Sequence, residues 1–154
     1  ACNAGGLRAL KYGVTKDYVL GLEVVMADGT IIKTGAATMK SVAGYDLTHL
    51  FTGSEGTLCV ITQIKVKLLP RPKAEQTMLV AFNDLDRTTE TVVEILAQGI
   101  IPSTLEFMDK VCIKSIENYI PSGLPLDAEA ALLIEVDGPE ILLEKQVLEI
   151  KKIY

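Results

Sequence analysis

Two prolines separated by one residue, Pro70-Arg71-Pro72, constrain the fold of this chain more than any other feature of its sequence. Each proline lacks a backbone N–H and disfavours helix at the residue before it, so neither a helix nor a central strand can continue through this stretch. Charge changes sign at the same place, because residues 1–72 carry eight basic and five acidic side chains and residues 73–154 carry seven and fifteen. We therefore predict two structural units, 1–72 and 73–154, joined by an extended linker.

Composition restricts the classes of protein to which the chain can belong. Nearly half of its 154 residues are apolar, mostly aliphatic, which suits a mixed α/β protein with a real core. No apolar run approaches the roughly 20 residues of a membrane span, and no signal segment opens the chain. A basic stripe with interleaved aromatics is missing, which argues against nucleic-acid binding. Three scattered cysteines and one histidine offer no metal site, and we expect reduced thiols in a cytoplasmic protein.

The first unit is predicted to contain an antiparallel sheet and one short helix. A Val/Leu-rich run, 19–27, and a second run, 30–34, flank Asp28-Gly29, a dipeptide typical of hairpin turns. Asp46 is a candidate N-cap for a helix that ends about five residues later. In the second half of the run 57–69, apolar and basic residues alternate, which predicts a half-buried third strand. The inward face of that strand would carry Ile64, Val66 and Leu68.

The second unit is predicted to alternate strands and helices in the order β-α-β-α-β-α. The strands are expected at 78–82, 102–107 and 130–136, and the helices at 84–98, at 109–119 and from 139 onward. The first helix is expected to bury Val92, Val93, Ile95 and Leu96, and the last to bury Leu143, Val147, Ile150 and Ile153. No glycine-rich phosphate fingerprint lies between these elements, which favours a small α+β sandwich over a dinucleotide-binding βαβ unit.

Two glycine-bearing segments of the first unit are candidates for binding an anionic ligand. The first is Asn3-Ala4-Gly5-Gly6-Leu7-Arg8, and the second is Gly53-Ser54-Glu55-Gly56-Thr57, which leads into the run 58–61. Residues with small side chains let a ligand approach the backbone, whose N–H groups can then face a negative charge. Each segment alone is more typical of an ordinary turn.

The order of several motifs resembles one known family. They include Asn3-Ala4-Gly5-Gly6, Lys11-Tyr12-Gly13, the run 19–25 with Asp28-Gly29, Gly44-Tyr45-Asp46-Leu47, the run 50–58, Gly99-Ile100-Ile101-Pro102 and Leu105-Glu106-Phe107-Met108-Asp109. Taken together they resemble FAD-linked oxidases of the vanillyl-alcohol-oxidase type, and within them the glycolate oxidase flavoprotein subunit and D-lactate dehydrogenases. The resemblance implies an α+β fold: the second FAD-binding subdomain, an antiparallel sheet with helices, followed by part of a ferredoxin-like cap domain.

The resemblance also implies which residues approach the cofactor. The implied FAD-binding residues are Cys2, Asn3, Ala4, Gly5, Gly6, Glu55, Gly56, Thr57, Leu58, Cys59, Val60 and Ile61. Arg8 is a candidate for pairing with a phosphate or with the carboxylate of the substrate. At Cys59 the family usually has glycine, so either the local φ is negative and a side chain is tolerated, or the flavin contact is altered. The single histidine, His49, is interpreted as structural.

The implied reaction of the parent protein is the oxidation of a small 2-hydroxy acid, glycolate or D-lactate, by hydride transfer to FAD. No residue matches a catalytic base or a metal ligand of the family. The first FAD-binding subdomain and a His-rich motif are expected outside this chain, which would then be an internal piece without activity of its own. The resemblance further implies iron–sulfur and second flavoprotein subunits as partners, and peripheral attachment to the inner membrane through them. Two alternatives stay open: a structured piece that binds nothing, and a surface for subunit assembly.

Overall fold

A computed structural model of the protein describes residues 1–36, 38 and 42–154. Within it the chain forms two units. The first unit comprises Ala1–Gly6 and Gly13–Pro70, and the second comprises Leu7–Tyr12 and Arg71–Tyr154. The change of unit after Pro70 falls in the Pro-Arg-Pro stretch. The sequence predicts one division, at the linker, whereas Leu7–Tyr12 belongs to the second unit. Arg8 and Lys11 of this segment form ion pairs with carboxylates of that unit.

The first unit contains a three-stranded antiparallel sheet in the order β2-β1-β3. Its strands are β1 (Val19–Val25), β2 (Ile31–Gly35) and β3 (Val60–Val66). The predicted hairpin is confirmed: the Gly29 N–H donates to the Met26 carbonyl at 2.9 Å, and Gly29 has a φ of 82°. That left-handed conformation suits glycine, which has no Cβ to clash with the backbone.

A short helix and a small core complete the first unit. Helix α2 (Leu47–Phe51) begins after Asp46, whose carboxylate accepts a hydrogen bond from the His49 N–H at 3.0 Å, as predicted for an N-cap. A 3-10 turn, Thr15–Tyr18, precedes β1. The buried apolar cluster of this unit consists of Val19, Leu22, Val24, Phe51 and Cys59.

The prediction that the third strand is half-buried is wrong. Ile64, Val66 and Leu68 are 57%, 48% and 87% exposed, and the strand ends at Val66. The reason is tertiary, because β3 lies at one edge of the sheet and helix α2 packs against β1 and β2. The alternation along β3 predicts one apolar face and one polar face. It does not predict whether another element packs against the apolar face.

The second unit shows the predicted alternation of strands and helices around an antiparallel sheet in the order β4-β6-β5. Its elements after the linker are β4 (Ala74–Phe82), α3 (Leu85–Ala97), β5 (Thr104–Asp109), α4 (Lys110–Tyr119), β6 (Ala130–Gly138) and α5 (Glu140–Ile150). The four-residue helix α1 (Ala9–Tyr12) belongs to the same unit. The fold class is therefore α+β, as expected.

Helix boundaries in the second unit follow local signals. Asp84 caps α3 by accepting the Asp86 N–H at 2.9 Å, and Asp109 caps α4 by accepting the Cys112 N–H at 2.7 Å. Gly99, with a φ of 76°, follows the end of α3. The four apolar residues predicted to face inward on the last helix are all buried: Leu143, Val147, Ile150 and Ile153.

The buried face of α3 differs from the predicted one. Val93 is 65% exposed and Leu96 is 39% exposed, whereas Thr88 and Thr91 are fully buried beside Ile95. The apolar run 92–96 spreads over too much of the helix circumference for all of it to face the sheet. The two threonines are tolerated inside because their hydroxyls donate to the carbonyls of Asp84 and Arg87 at 2.7 and 2.8 Å.

The described part of the chain contains no helix that is both long enough and apolar enough to pass through a bilayer.

Candidate functional site

The first glycine-bearing segment is held to the first unit through its residues 3 and 4. The Asn3 side chain accepts the Lys16 N–H at 2.8 Å, and Asn3 itself has a φ of 52°. The Ala4 carbonyl accepts the Thr15 hydroxyl at 2.7 Å and the Thr15 N–H at 3.3 Å. These bonds fix the path of the backbone before Gly5 and Gly6, which are both exposed.

The second segment forms a tight turn after helix α2. Gly53, Glu55 and Gly56 have φ values of 95°, 50° and 81°, so three residues in four adopt the left-handed conformation. Glycine accommodates this conformation without strain, while Glu55 does not, and such strained backbone positions are frequent at ligand sites. The Thr57 N–H and hydroxyl both donate to the Ser54 carbonyl, at 2.9 and 2.6 Å, and close the turn.

The structure brings these two segments together within the first unit. The Glu55 N–H donates to the Ala1 carbonyl at 3.2 Å. A Cβ atom added to Gly53 would lie 3.2 Å from the Asn3 Cβ. The two glycine-bearing stretches, about fifty residues apart in sequence, are therefore neighbours, as a shared ligand-binding wall requires. Their role in cofactor binding stays a prediction.

The surroundings of the two segments leave space beside their backbone, as a bound cofactor would need. A Cβ atom added to Gly6 or to Gly56 would meet no atom of the described residues within 4 Å, apart from its chain neighbours, so space is open at both positions. The Ser54 hydroxyl is buried and has no hydrogen-bond partner in the part of the chain that the structure describes. A buried hydroxyl without a partner is costly and therefore rare in folded proteins. The assignment from the sequence did not include Ser54, because only the fold shows that its hydroxyl is enclosed.

The last three residues of the predicted site, Cys59, Val60 and Ile61, differ in how far they are buried. The Cys59 side chain is 5% exposed and packs in the core of the first unit, so its thiol does not face a ligand. Among the described residues other than glycine, only Asn3 and Glu55 have positive φ, so the φ of Cys59 is negative and its backbone tolerates a side chain. Val60 is exposed, whereas Ile61 is partly buried against the core.

Arg8 is engaged by two carboxylates of the second unit. Its guanidinium lies 3.2 Å from Glu75 Oε2 and 2.9 Å from Glu135 Oε1. The hydrogen bond to Glu75, followed by the charge of Glu135, raises the pKa of Arg8 above its ordinary value. The structure thus gives Arg8 protein partners, and its pairing with a phosphate or a substrate carboxylate stays a prediction.

A second cluster of polar groups surrounds Asp137, also in the second unit. Lys11 Nζ contacts Asp137 Oδ1 and donates to the Asp137 carbonyl at 2.6 Å, while the Tyr12 hydroxyl donates to Asp137 Oδ2 at 2.6 Å. The Asp137 side chain is completely buried. Burial raises the pKa of this carboxyl, but the bonds from Lys11 and Tyr12 and the nearby charges outweigh it, so the pKa lies below its ordinary value.

His49 has partners on both ring nitrogens. Its Nδ1 lies 2.5 Å from Asp46 Oδ2, and its Nε2 lies 2.9 Å from the Lys16 carbonyl oxygen. The imidazole therefore ties helix α2 to the turn before β1, in agreement with its interpretation as structural. Among the residues that the structure describes, no three His, Cys, Asp or Glu side chains are grouped so that they could hold a metal ion.

Comparison with known families matches both units. Residues 71–154 match the family described as "FAD linked oxidases, C-terminal domain", and residues 1–35 match the family described as "FAD binding domain". The first of these matches covers more than half of the chain.

Curated relatives match along nearly the whole chain. "Glycolate oxidase subunit GlcD" of Bacillus subtilis is 53% identical over 98% of this chain and 32% of the relative, and its Escherichia coli K12 counterpart is 46% identical over 90% and 28%. "D-lactate dehydrogenase" of Anaerostipes hadrus is 40% identical over 90% of this chain and 30% of the relative. The chain therefore spans about a third of the length of the relatives it matches.

Solved structures with the same fold include alkyldihydroxyacetonephosphate synthase in its P212121 crystal form. The TM-score is 0.74 at 20% sequence identity, over 98% of this chain and 30% of that one. The P1 form of the same protein gives a TM-score of 0.75, also at 20% identity. At this level of identity the likeness shows the fold alone.

Proposed function

This chain belongs to the FAD-linked oxidases, and from that membership we propose that it forms part of an oxidoreductase that uses FAD to oxidise a small 2-hydroxy acid. Glycolate and D-lactate are the substrates that we propose, because relatives with 53% and 40% identity carry those names. The chain alone would be inactive, since none of its residues is assigned as a catalytic base.

The observation that carries this proposal is the meeting of the two glycine-bearing segments, through the hydrogen bond from the Glu55 N–H to the Ala1 carbonyl. Residues 2–6 and 55–58 would hold one side of FAD through their backbone. When bound, FAD supplies the electron acceptor for the hydride that leaves the substrate α-carbon. The proposed role of this chain is to bind and orient FAD.

The decisive residue for a test is Gly56, whose Cβ position is open and whose φ is 81°. In the full-length protein we expect Gly56→Val to reduce FAD content at least about tenfold, because a branched side chain would occupy space that a ligand needs. Flavin is measured by absorbance near ~450 nm, the band of its oxidised ring.

The matched control is Gly123→Val, in the second unit. Gly123 also has positive φ, 76°, and open space where a Cβ would stand, so the backbone strain of the substitution is the same. That variant should keep its flavin. Equal flavin content in the Gly56 variant and wild type, or equal loss in both variants, would remove the support for this site.

Assembly with other subunits is a second candidate function, favoured by the word "subunit" in the names of the Bacillus and Escherichia relatives. We propose an iron–sulfur subunit and a second flavoprotein subunit as partners, with any association with the inner membrane arising through them. Co-purification of the full-length protein with each tagged candidate partner tests this. If the tagged partner elutes without the full-length protein, under conditions in which the full-length protein is folded, the assembly proposal is rejected.

A further inference from the structure

The second unit buries a carboxylate that the proposed flavin chemistry does not use. Asp137 lies near the end of β6, and none of its side chain is exposed. A buried charge is strongly unfavourable unless other groups pair with it and donate hydrogen bonds to it. Both donors that meet this need, Lys11 and Tyr12, come from a segment more than a hundred residues earlier in the chain.

The same segment has a second attachment at its other end. Arg8 lies 2.9 Å from Glu135 Oε1, and Glu135 is two residues before Asp137 on the same face of β6. The Ser103 hydroxyl, fully buried, donates to Glu135 Oε1 at 2.8 Å and holds that carboxylate in place. Leu7–Tyr12 is therefore attached to β6 at both ends of the segment, by Arg8 at one end and by Lys11 and Tyr12 at the other.

The position of this segment in the sequence gives the attachment a functional meaning. Leu7 is bonded directly to Gly6, the last residue of the proposed cofactor segment 2–6. Beyond the attached residues, the chain returns through Gly13 to Thr15, whose hydroxyl donates to the Ala4 carbonyl at 2.7 Å. A loss of attachment at Leu7–Tyr12 would free the backbone on the immediate C-terminal side of Gly6.

We propose that Leu7–Tyr12 is a clasp, and that Lys11, Tyr12 and Asp137 are positioning residues that fix the backbone where it leaves the cofactor segment 2–6 at Gly6. This role rests on the proposed function, because it assigns the clasp an effect on FAD. The proposed role of the clasp residues is to position backbone and not to take part in catalysis. Their effect is to limit the conformations open to Gly5 and Gly6 before a ligand arrives, which reduces the entropic cost of binding.

The experiment uses three variants of the full-length protein: Lys11→Met, Tyr12→Phe and Asp137→Asn. Hydrogen exchange of the peptide that contains residues 7–12 should become at least about tenfold faster in the Lys11 and Asp137 variants, and less so in the Tyr12 variant, which loses one hydroxyl. The Kd for FAD, measured by quenching of flavin fluorescence, should rise about tenfold in the first two, equivalent to about 1.4 kcal/mol.

Two controls separate positioning from general destabilisation. Lys114→Met makes the same chemical change on the exposed side of α4 and should alter neither measurement. Ile95→Val trims the fully buried Ile95 in the core of the second unit, which lowers stability without touching the clasp. If Ile95→Val weakens FAD binding as much as Lys11→Met does, the clasp is structural only and the positioning role is wrong.

The remaining outcomes also decide the matter. Unchanged exchange of residues 7–12 in both Lys11→Met and Asp137→Asn overturns the clasp. Faster exchange with unchanged FAD affinity supports the clasp but overturns its positioning role. If the wild-type protein binds no FAD, the proposed function and the positioning role fall together, while the exchange data still test the clasp. Should Asp137→Asn fail to fold, Lys11→Met carries the test.

Discussion

Asp137 illustrates at the scale of one residue how neighbours decide when a carboxyl group is charged. Burial disfavours the charged form, while the donors from Lys11 and Tyr12 favour it, and the pKa in the folded protein lies below its ordinary value. A carboxyl whose folded pKa is depressed stabilises the fold at pH values above its unfolded pKa. That contribution is lost as the pH falls through the folded pKa.

This linkage predicts a specific pH dependence for Asp137→Asn. At pH 7 the variant should be less stable than wild type by about 2 kcal/mol, the usual value of hydrogen bonds to a buried charged group. The difference should remain constant down to about pH 4, the ordinary pKa of Asp, and shrink only below it. Urea unfolding of both proteins between pH 7 and pH 3 measures this. A difference that shrinks between pH 7 and pH 5 would contradict the assignment.

The three cysteines allow a prediction about accessibility. Cys2 and Cys112 are exposed, and Cys59 is buried in the core of the first unit. In the folded chain we expect an aromatic disulfide reagent to modify two thiols rapidly and the third only on unfolding. Cys59→Ala should abolish the slow phase and lower the unfolding free energy by about 1 kcal/mol, while Cys112→Ala should remove part of the fast phase with little change in stability. Three equally fast thiols would place Cys59 at the surface.

At the scale of residues, the sequence predicts candidates better than it predicts their neighbours. The glycine-bearing segments were recognisable because glycine has a local, conformational meaning that any part of the chain expresses directly. The enclosed hydroxyl of Ser54 and the buried carboxylate of Asp137 were not, because burial depends on which other elements pack nearby. Arg8 shows the same limit: its charge suggested an anionic partner, but only the fold identifies Glu75 and Glu135.

At the scale of elements, the pairing of β1 with β2 depends on a close approach of two glycines. Gly21 and Gly35 are directly opposite each other in the register. A Cβ atom on Gly35 would lie 2.0 Å from the Leu20 carbonyl oxygen and 2.7 Å from the Gly21 Cα. No backbone can accept such contacts, so one end of this strand pair requires the absence of a side chain.

Gly35→Ala is therefore expected to be costly. We predict a loss of at least about 3 kcal/mol of unfolding free energy, since both steric overlap and the positive φ of 72° oppose the change. The matched variant is Gly29→Ala, at a φ of 82° with open space around the Cβ, which should cost only the strain, about 1 kcal/mol. Chemical denaturation of the two variants gives both numbers. Equal losses of unfolding free energy in the two variants would mean that steric overlap at Gly35 adds nothing to the cost of the substitution.

Elements differ in how far local sequence determines them. The cap of helix α2 by Asp46 was predictable because a cap is made by a side chain and the backbone within the next turn. The burial of β3 and the inward face of α3 were predicted wrongly. Both depend on the neighbour against which an element packs, and that information is distributed over the whole chain.

At the scale of the whole molecule, the chain belongs to the FAD-linked oxidases, and both units match that class of protein. The chain spans about a third of the relatives it matches, and its candidate site consists mainly of backbone and small residues. The sequence could predict the division into two units, because paired prolines interrupt any regular element. It could not predict that the second unit recruits six residues from within the first, since that exchange depends on a carboxylate far away in the chain.

The recruitment of Leu7–Tyr12 has a practical consequence for anyone who wishes to engineer the second unit. A protein trimmed to begin at Arg71 would retain the enclosed Asp137 and lose its ammonium and phenol donors, so the carboxyl would have to take up a proton or draw water into the sheet. Grafting those six residues back through a flexible tether, in the manner of a circular permutation, would restore the missing counter-charge.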